Sequence, residues 1–320
     1  MLMTICISAN AKEKKDNLDK SLLIPKVTGL INTRYTYDDE ANVKHNADIR
    51  RVRLGVKGQL HEKFDYCIQA EYETTVKVID AYFRWKIMPE LNVQVGEFKT
   101  ETSLETTYGP ANWLVIENPT AVAKLNSYDD LSGIKSNGRD IGLRLYGSFF
   151  HKTDFNVLRY SVGVYNGAGI NMKDNNNKKD VAGYLWINPL KQLTISGGYY
   201  SGSYGPKGNT HVRNRASSGI EWKDRKLTVR GEYLWGNTAG LHSNGAYLQA
   251  AYMVHYMVQP VVSYDYFKRH TDINDDQHNL QIGVNIMPIN HLRIQAAYTH
   301  SFRRNNSDRN LAEVQAIVNF

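Results

Sequence analysis

Residues 51–72 read Arg51-Val52-Arg53-Leu54-Gly55-Val56-Lys57-Gly58-Gln59-Leu60-His61-Glu62-Lys63-Phe64-Asp65-Tyr66-Cys67-Ile68-Gln69-Ala70-Glu71-Tyr72. In the first half, Val52, Leu54, Val56 and Leu60 alternate with Arg51, Arg53, Lys57 and Gln59. In the second, Phe64, Tyr66, Ile68, Ala70 and Tyr72 alternate with Asp65, Cys67, Gln69 and Glu71. Successive side chains of a strand point to opposite faces, so a period of two marks a strand with one apolar and one polar face. The polar His61-Glu62-Lys63 between the halves is a tight connection, which makes the pair a hairpin.

The same rhythm runs to the end of the chain. Leu280, Ile282, Val284 and Ile286 alternate with Asn279, Gln281, Gly283 and Asn285. Leu292, Ile294, Ala296 and Tyr298 alternate with Arg293, Gln295, Ala297 and Thr299. Strand-like segments fall at 26–37, 48–60, 63–73, 78–87, 91–98, 140–149, 154–165, 181–188, 191–200, 213–222, 226–236, 245–254, 257–268, 278–287, 291–301 and 311–320, sixteen in all. Connections alternate in length. Short ones include 61–63, 88–90, 188–190, 223–225 and 287–290; longer polar ones include 38–46, 168–180, 201–212, 236–244, 269–277 and 303–309. Short turns at one end and long loops at the other, with an even strand number, are the pattern of an outer-membrane barrel. An open sheet curls or splits beyond roughly ten strands, whereas closure removes the unpaired edges. The expected fold is all-β, a transmembrane antiparallel β-barrel of about sixteen strands over 26–320.

Composition agrees with this and excludes other classes. The chain has 320 residues, 42% of them hydrophobic, and no stretch reaches the ~18 uninterrupted apolar residues of a membrane-spanning helix. A barrel hides its membrane signal because lipid-facing and lumen-facing residues alternate. The 21 Tyr and 5 Trp against 9 Phe suit positions that are apolar at one end and wet at the other. The net charge is +7, but the basic residues are spread along the chain with acids between them. Nucleic-acid binders cluster theirs, so no nucleic-acid partner is expected. None of the His pairs with Cys at metal spacing. The glycines Gly197, Gly198, Gly202, Gly205 and Gly208 have no helix behind them to hold a phosphate, and Asp174-Asn175-Asn176-Asn177 lacks the spaced carboxylates of a calcium loop. No Ser and His form a consistent triad. The expectation is therefore no metal, no cofactor and no catalytic residues.

Residues 1–11, Met1 to Ala11, form a short apolar run ending in Ala9-Asn10-Ala11, the pattern of a leader cleavage site. They are expected to be a truncated signal peptide, with a buried first strand as the competing reading, and 12–25 a polar N-terminal segment. Cys6 would leave with the leader. Cys67 would then have no partner for a disulfide, and Ile5 is not the small residue that precedes a lipid-anchored cysteine. At the other end, Ala312, Val314, Ala316, Val318 and Phe320 share one face. A last strand ending in Phe resembles the signal read by the barrel-assembly machinery, which makes that machinery an expected partner through Phe320.

The chain also resembles the phosphate-selective porin O and P family. The carrying residues are Arg50-Arg51-Val52-Arg53-Leu54-Gly55-Val56-Lys57-Gly58, Asp80-Ala81-Tyr82, Val95-Gly96-Glu97-Phe98-Lys99-Thr100 with Ser103-Leu104-Glu105, Gly138-Arg139-Asp140-Ile141-Gly142, and Tyr160-Ser161-Val162-Gly163-Val164-Tyr165-Asn166-Gly167. The order and spacing match over about 26–170. The sequence departs from the family pattern at Glu97 and at Glu101-Thr102, at the mouth of the longest loop. The resemblance implies a sixteen-stranded channel in the outer membrane of a Gram-negative bacterium, a homotrimer, and phosphate as the solute.

With the apolar set facing lipid, the other set faces water. That lumen set holds Arg34, Arg51, Arg53, Lys57, Arg84, Lys86, Arg144, Arg159, Arg213, Arg215, Arg230 and Arg293. Its acids are Asp65, Glu71, Glu73, Asp80, Glu221, Glu232, Asp265 and Glu313. Segments 26–37, 48–60, 140–149 and 154–165 contribute Arg34, Arg51, Arg53, Lys57, Arg144 and Arg159 with no acid. Rows of Arg and Lys suit anion pores, and the guanidinium fork matches phosphate. The expected anion pathway is Arg34, Arg51, Arg53, Lys57, Arg84, Lys86, Arg144, Arg159, Arg213 and Arg215. The segment 99–139 has no convincing strand, and a loop of that length is rare unless functional. It is expected to fold into the barrel, bringing Lys99, Lys124, Lys135 and Arg139 to a constriction. The function expected is passive diffusion with anion preference. The alternatives are a general non-selective pore and a barrel acting as an adhesin.

Overall fold

The computed structural model describes residues 24–320; the expected leader 1–11 and most of the polar segment 12–25 lie outside the described residues. Sixteen strands form among the described residues: β1 (Lys26–Asp38), β2 (His45–His61), β3 (Phe64–Glu71), β4 (Lys77–Met88), β5 (Leu91–Lys99), β6 (Arg139–His151), β7 (Asn156–Tyr165), β8 (Asp180–Leu190), β9 (Leu193–Tyr204), β10 (His211–Lys223), β11 (Leu227–Thr238), β12 (Leu241–Tyr252), β13 (Val258–Lys268), β14 (Asp276–Ile289), β15 (Leu292–Arg303) and β16 (Arg309–Asn319). Each pairs antiparallel with its sequence neighbours, and β1 pairs with β16, so the sheet closes. At the seam, the backbone of Gly29 exchanges two hydrogen bonds with that of Phe320 (2.8 and 3.1 Å).

The two faces are inverted relative to a water-soluble protein. Ile31, Leu54, Ile68, Phe83, Val95, Leu143, Leu185, Ile195, Leu248, Val262, Ile282 and Val314 are exposed on the outside, while Asn32, Arg53, Gln94, Arg215, Arg230, Gln249 and Gln315 are buried inside. A continuous apolar outer surface on this scale is stable only against lipid.

The register shifts at several places, four of them beside short turns, and the other two serve the lumen. In β2 the partner of Asn32 is Arg51 and the partner of Thr33 is Ile49, so Arg50 is an extra, bulged residue. Without the bulge Arg50 would share the lipid face with Val52, where a charge costs about 2–4 kcal/mol at mid-membrane. With it, Arg50 and Arg51 both turn inward and reach Glu117. In β4 the bulge falls at Ile79, between Val78 and Asp80, and both Ile79 and Asp80 face the interior. Bulges re-aim side chains in this way next to functional sites.

Several strands run past the ends expected from the sequence. The run 236–244, expected to be a long loop, is a two-residue turn: Ala239 (φ 54°) and Gly240 (φ 88°) link β11 to β12. Two positive φ values make the mirror-image turn whose twist matches a hairpin. The residues 188–190 belong to β8 instead of forming a turn.

The long connection 100–138 carries two 3-10 turns, Glu105–Thr107 and Pro110–Asn112, and one short helix, α1 (Thr120–Asn126). It folds into the lumen. Ala121, Val122 and Leu125 of α1 pack on Leu234, Tyr247 and Phe267 of β11, β12 and β13. Leu114 and Val115 pack on Ala251 and Val261, and Leu104 packs on Tyr184 and Trp186. These apolar residues give the loop its own inner core on one side of the barrel.

Gly96 (φ 129°) in β5 lies where an added Cβ would come within 2.1 Å of the Ala81 carbonyl oxygen. Gly96→Ala is expected to force β4 and β5 apart and to destabilise the barrel by about 1–3 kcal/mol. The check is the temperature at which the compact, heat-modifiable form unfolds in a gel. An unchanged temperature would mean that the strand pair yields freely.

Candidate functional site

The loop is tied to the barrel by ion pairs as well as by its apolar core. On the β10–β15 side, Asp130 accepts from Arg215 Nη2 (2.9 Å) and Arg213 Nη2 (3.1 Å), and Glu105 accepts from Arg230 Nη1 (2.7 Å). Glu221 takes the Nε of the same Arg230 (2.7 Å). Glu232 accepts from Ser103 Oγ (2.8 Å) and the Leu104 N–H (2.7 Å). Wall side chains also donate to loop carbonyls: Arg215 Nε to Leu125 (2.8 Å) and Arg293 Nη1 to Ala111 (3.0 Å). On the β1–β6 side the ties are fewer. Glu117 meets Arg50 (2.6 Å), Arg34 (3.2 Å) and Arg51 (3.3 Å), and Glu101 meets Arg144 (2.8 Å).

Open space remains along the β1–β6 wall and, on the long-loop side, against β13–β16. On the long-loop side is a chamber of about 700 Å³ between the loop, β1, β2 and β13–β16. A second, much smaller gap of about 20 Å³ is lined by Arg51, Arg53, Lys99, Thr106, Pro110, Trp113, Asn118, Ser127, Asn137, Gly138 and Arg139. At the short-turn end, a mouth of about 420 Å³ holds Lys26, Lys57, Asp65 and Arg84.

Among the described residues, no carboxylate lines the narrow gap. Its cations are paired from behind: Arg53 with Glu71 (2.6 Å), Arg139 with Asp80 (3.1 Å) and Arg51 with Glu117 (3.3 Å). The Arg51 guanidinium also lies 5.0 Å from the Trp113 ring centroid, and its Nη1 is buried with no hydrogen-bond partner among the described residues. Lys99 Nζ donates to the carbonyls of Thr106 (2.8 Å) and Tyr108 (2.9 Å). The fork geometry of Arg and the dry surroundings make each charge more effective than it would be in bulk water.

Four of the residues expected from sequence thus meet at one gap: Arg51, Arg53, Lys99 and Arg139. Lys57 and Arg84 stand at the short-turn mouth, where Arg84 and Lys86 both pair with Asp65 (2.5 and 2.9 Å). Arg34 borders the chamber, held by Asp48, Glu117 and Glu313. Arg144 sits against Glu101 and the Phe98 ring, and Arg159 lies over Trp186. Arg213 and Arg215 are buried under the loop as its anchors and do not line the gap. Two constriction residues need correction. Lys124 pairs with Asp129 beside a separate cavity near β13, and Lys135 lines a side chamber with Glu71, Glu73 and Lys77. Lys124 sits on α1 and does not line the gap, and the side chamber of Lys135 borders the gap through Arg51, Arg53 and Asn137 without Lys135 lining it.

The sequence reading also left β1, β2 and β6 without acids. Most of the acids come from the loop, where Glu117 serves Arg34, Arg50 and Arg51 and Glu101 serves Arg144, while Asp48 of β2 itself pairs with Arg34 (2.8 Å). The departures at Glu97 and Glu101 from the expected pattern are structural here, since Glu97 accepts the Asn171 N–H (2.8 Å). Arg50 was missed because it lies on the apolar parity of β2; a doubled Arg next to a break in alternation was the available signal.

The model of the phosphate-selective porin O and P family matches residues 26–183. Over that stretch, just under half of its length, the chain is similar to this family of outer-membrane porins. Solved structures repeat the architecture over almost the whole porin. OprB of Pseudomonas putida is 10% identical with a TM-score of 0.72, covering 92% of this chain and 94% of its own. OmpT of Vibrio cholerae, in a structure described as the trimer form, is 13% identical with a TM-score of 0.66, covering 93% and 99%. The outer membrane channel DcaP of Acinetobacter baumannii is 11% identical with a TM-score of 0.65, covering 95% and 99%. No curated protein matches the sequence. This porin is accordingly a multi-pass β-barrel of the Gram-negative outer membrane.

The loop anchors of the porin carry a defined pH dependence. Burial opposes the charge on Glu117, but the guanidiniums of Arg51 and Arg50 outweigh it and hold the carboxyl below its usual range. Asp130 is lowered in the same way: burial raises it, and Arg213 and Arg215 bring it down further than burial lifts it. A lowered carboxylate contributes stability above its unfolded-state value and loses it as the pH falls through the folded one. These two anchors, Glu117 and Asp130, are expected to hold from neutral pH down through about pH 4 and to release only below it. Single-channel records taken at stepwise lower pH check this. Flicker or a rise in conductance already near pH ~5 would contradict it, since unperturbed carboxylates begin to protonate there.

Proposed function

We propose that this porin is a passive diffusion channel with a preference for small anions, phosphate or phosphorylated solutes foremost. The observation that carries the reading is the narrow gap lined by Arg51, Arg53, Lys99 and Arg139 with no carboxylate on its surface. An anion entering there exchanges part of its hydration for guanidinium and ammonium donors. Lys57, Arg84 and Lys86 continue the basic surface toward the short-turn mouth. The family match supports phosphate as the solute. The trimer form of OmpT supports a homotrimer, its outer apolar surface in contact with outer-membrane lipid. Phe320, exposed at the seam beside Gly29, is the natural handle for the barrel-assembly machinery.

One observation favours general diffusion as a second reading: most lumen cations have a carboxylate within ion-pair distance, including the Arg34 and Arg84 groups. Such pairs reduce the net field. A passive channel needs no catalytic residues, metal or cofactor, and among the described residues no His, Cys, Asp and Glu cluster has the makings of a metal site.

The refolded porin in a planar bilayer under a KCl gradient is expected to show an anion-selective reversal potential, with phosphate reducing the chloride current. Arg51→Glu combined with Arg53→Glu is expected to abolish or invert that selectivity. A reversal potential that the double variant leaves unchanged would remove the gap from the ion path, and a wild-type potential near zero would leave the general pore.

A further inference from the structure

The chamber above the gap has a different chemistry from the gap. Its charged side groups balance: Arg34, Lys44, Arg50 and Arg309 against Asp38, Glu117, Asp265 and Glu313. A small inorganic anion gains no net attraction from such a lining. The opposite wall is mostly uncharged and polar, formed by Ser263, Gln277, Asn279, Gln281, Thr299 and Ser301 on β13, β14 and β15, with Asp265 of β13 as its one charged side chain. Gln281 and Thr299 are cross-strand partners, and Gln281 Nε2 donates to Thr299 Oγ1 (2.9 Å), which leaves the Gln281 carbonyl and the Thr299 proton facing the space. Among the described residues, the hydroxyls of Ser263 and Ser301 have no side-chain hydrogen-bond partner, and Thr36 Oγ1, across the chamber, is buried without one.

Hydroxyls and amides both donate and accept, as the hydroxyls of a polyol do. Carboxylates and guanidinium forks on the other wall present paired acceptors and paired donors to adjacent hydroxyls. The volume, about 700 Å³, lies within the usual range for small organic ligands, roughly 300–1,000 Å³, and is far more than a bare phosphate needs. We propose that this chamber is a binding subsite for a polyhydroxylated solute of the saccharide class, held between the amide and hydroxyl wall of β13–β15 and the paired charges of β1, β2 and Glu117. The subsite goes beyond the anion reading and does not depend on it: a neutral sugar binds the chamber, whatever the gap below prefers.

The test is glucose added to the long-loop side of the wild-type porin in a bilayer, with current noise and conductance recorded against concentration. Saturable block is expected. Gln281→Leu with Thr299→Val is expected to raise the half-blocking concentration about tenfold and to leave the reversal potential in a KCl gradient unchanged, because neither residue is charged. Should that variant fail to form a barrel, Ser263→Ala with Ser301→Ala trims the same wall and is expected to weaken block in the same direction. Conductance that falls only in step with bulk conductivity, without saturation, would overturn the subsite. So would saturable block that neither variant weakens. Anion selectivity is read separately from the reversal potential, so failure of the anion reading alone leaves the sugar result standing.

Discussion

In a bilayer no backbone N–H or C=O can be left without a partner, and that requirement governs the rest of this molecule. A sheet meets it only by closing, and here closure is made by β1 against β16, with Gly29 and Phe320 completing the last pair of bonds. Closure fixes parity on every strand. Once Val52, Leu54 and Val56 face lipid, Arg51 and Arg53 must face the lumen, and each added charge must find either water or a counter-charge inside. The Arg50 bulge satisfies the same condition where alternation would have violated it.

Parity alone would yield a wide, wet tube. The 100–138 loop makes it a channel with two kinds of surface. Its apolar residues settle mainly on β11–β13, and its carboxylates meet wall guanidiniums on both sides, which leaves open space along β1, β2 and β13–β16. Breaking one partner of such buried pairs is costly, about 3–5 kcal/mol, because it strands the other charge. The anchors with lowest exposure, Asp130 with Arg215 and Glu105 with Arg230, lie on the far side from the gap. The loop's position is therefore held from the β10–β13 wall, and the gap keeps a cationic face because the acids paired with its guanidiniums, Glu71, Asp80 and Glu117, do not line it. Above it, where Glu117 and Glu313 reach the chamber surface, the charge is balanced.

Strand count, closure and the inward set were legible because lipid imposes a period of two that the residues cannot disguise. Three features were not. The bulges at Arg50 and Ile79 each insert one residue, and a single insertion leaves the flanking alternation intact. The turn at Ala239-Gly240 was hidden in a polar run, because strands that extend beyond the lipid no longer need an apolar face. The loop acids Glu101, Glu105, Glu117 and Asp130 were invisible as counter-ions, since their partners lie on strands distant in sequence and only the folded loop brings them together. That is also why Lys124 and Lys135, plausible by position, fall away from the gap while Lys99 and Arg139, at the loop's two ends, are delivered to it by β5 and β6.

The central claim is that the narrowest part of the ion path lies between the loop and β2, at Arg53. It is tested most directly by placing a cysteine there, Arg53→Cys in a chain whose native cysteines are replaced by serine, and exposing a single open channel to an anionic methanethiosulfonate reagent. The account predicts that modification lowers the current in one discrete step and shifts selectivity away from anions. A current that is unaffected by a modification shown by mass to be complete would place the path elsewhere in the lumen.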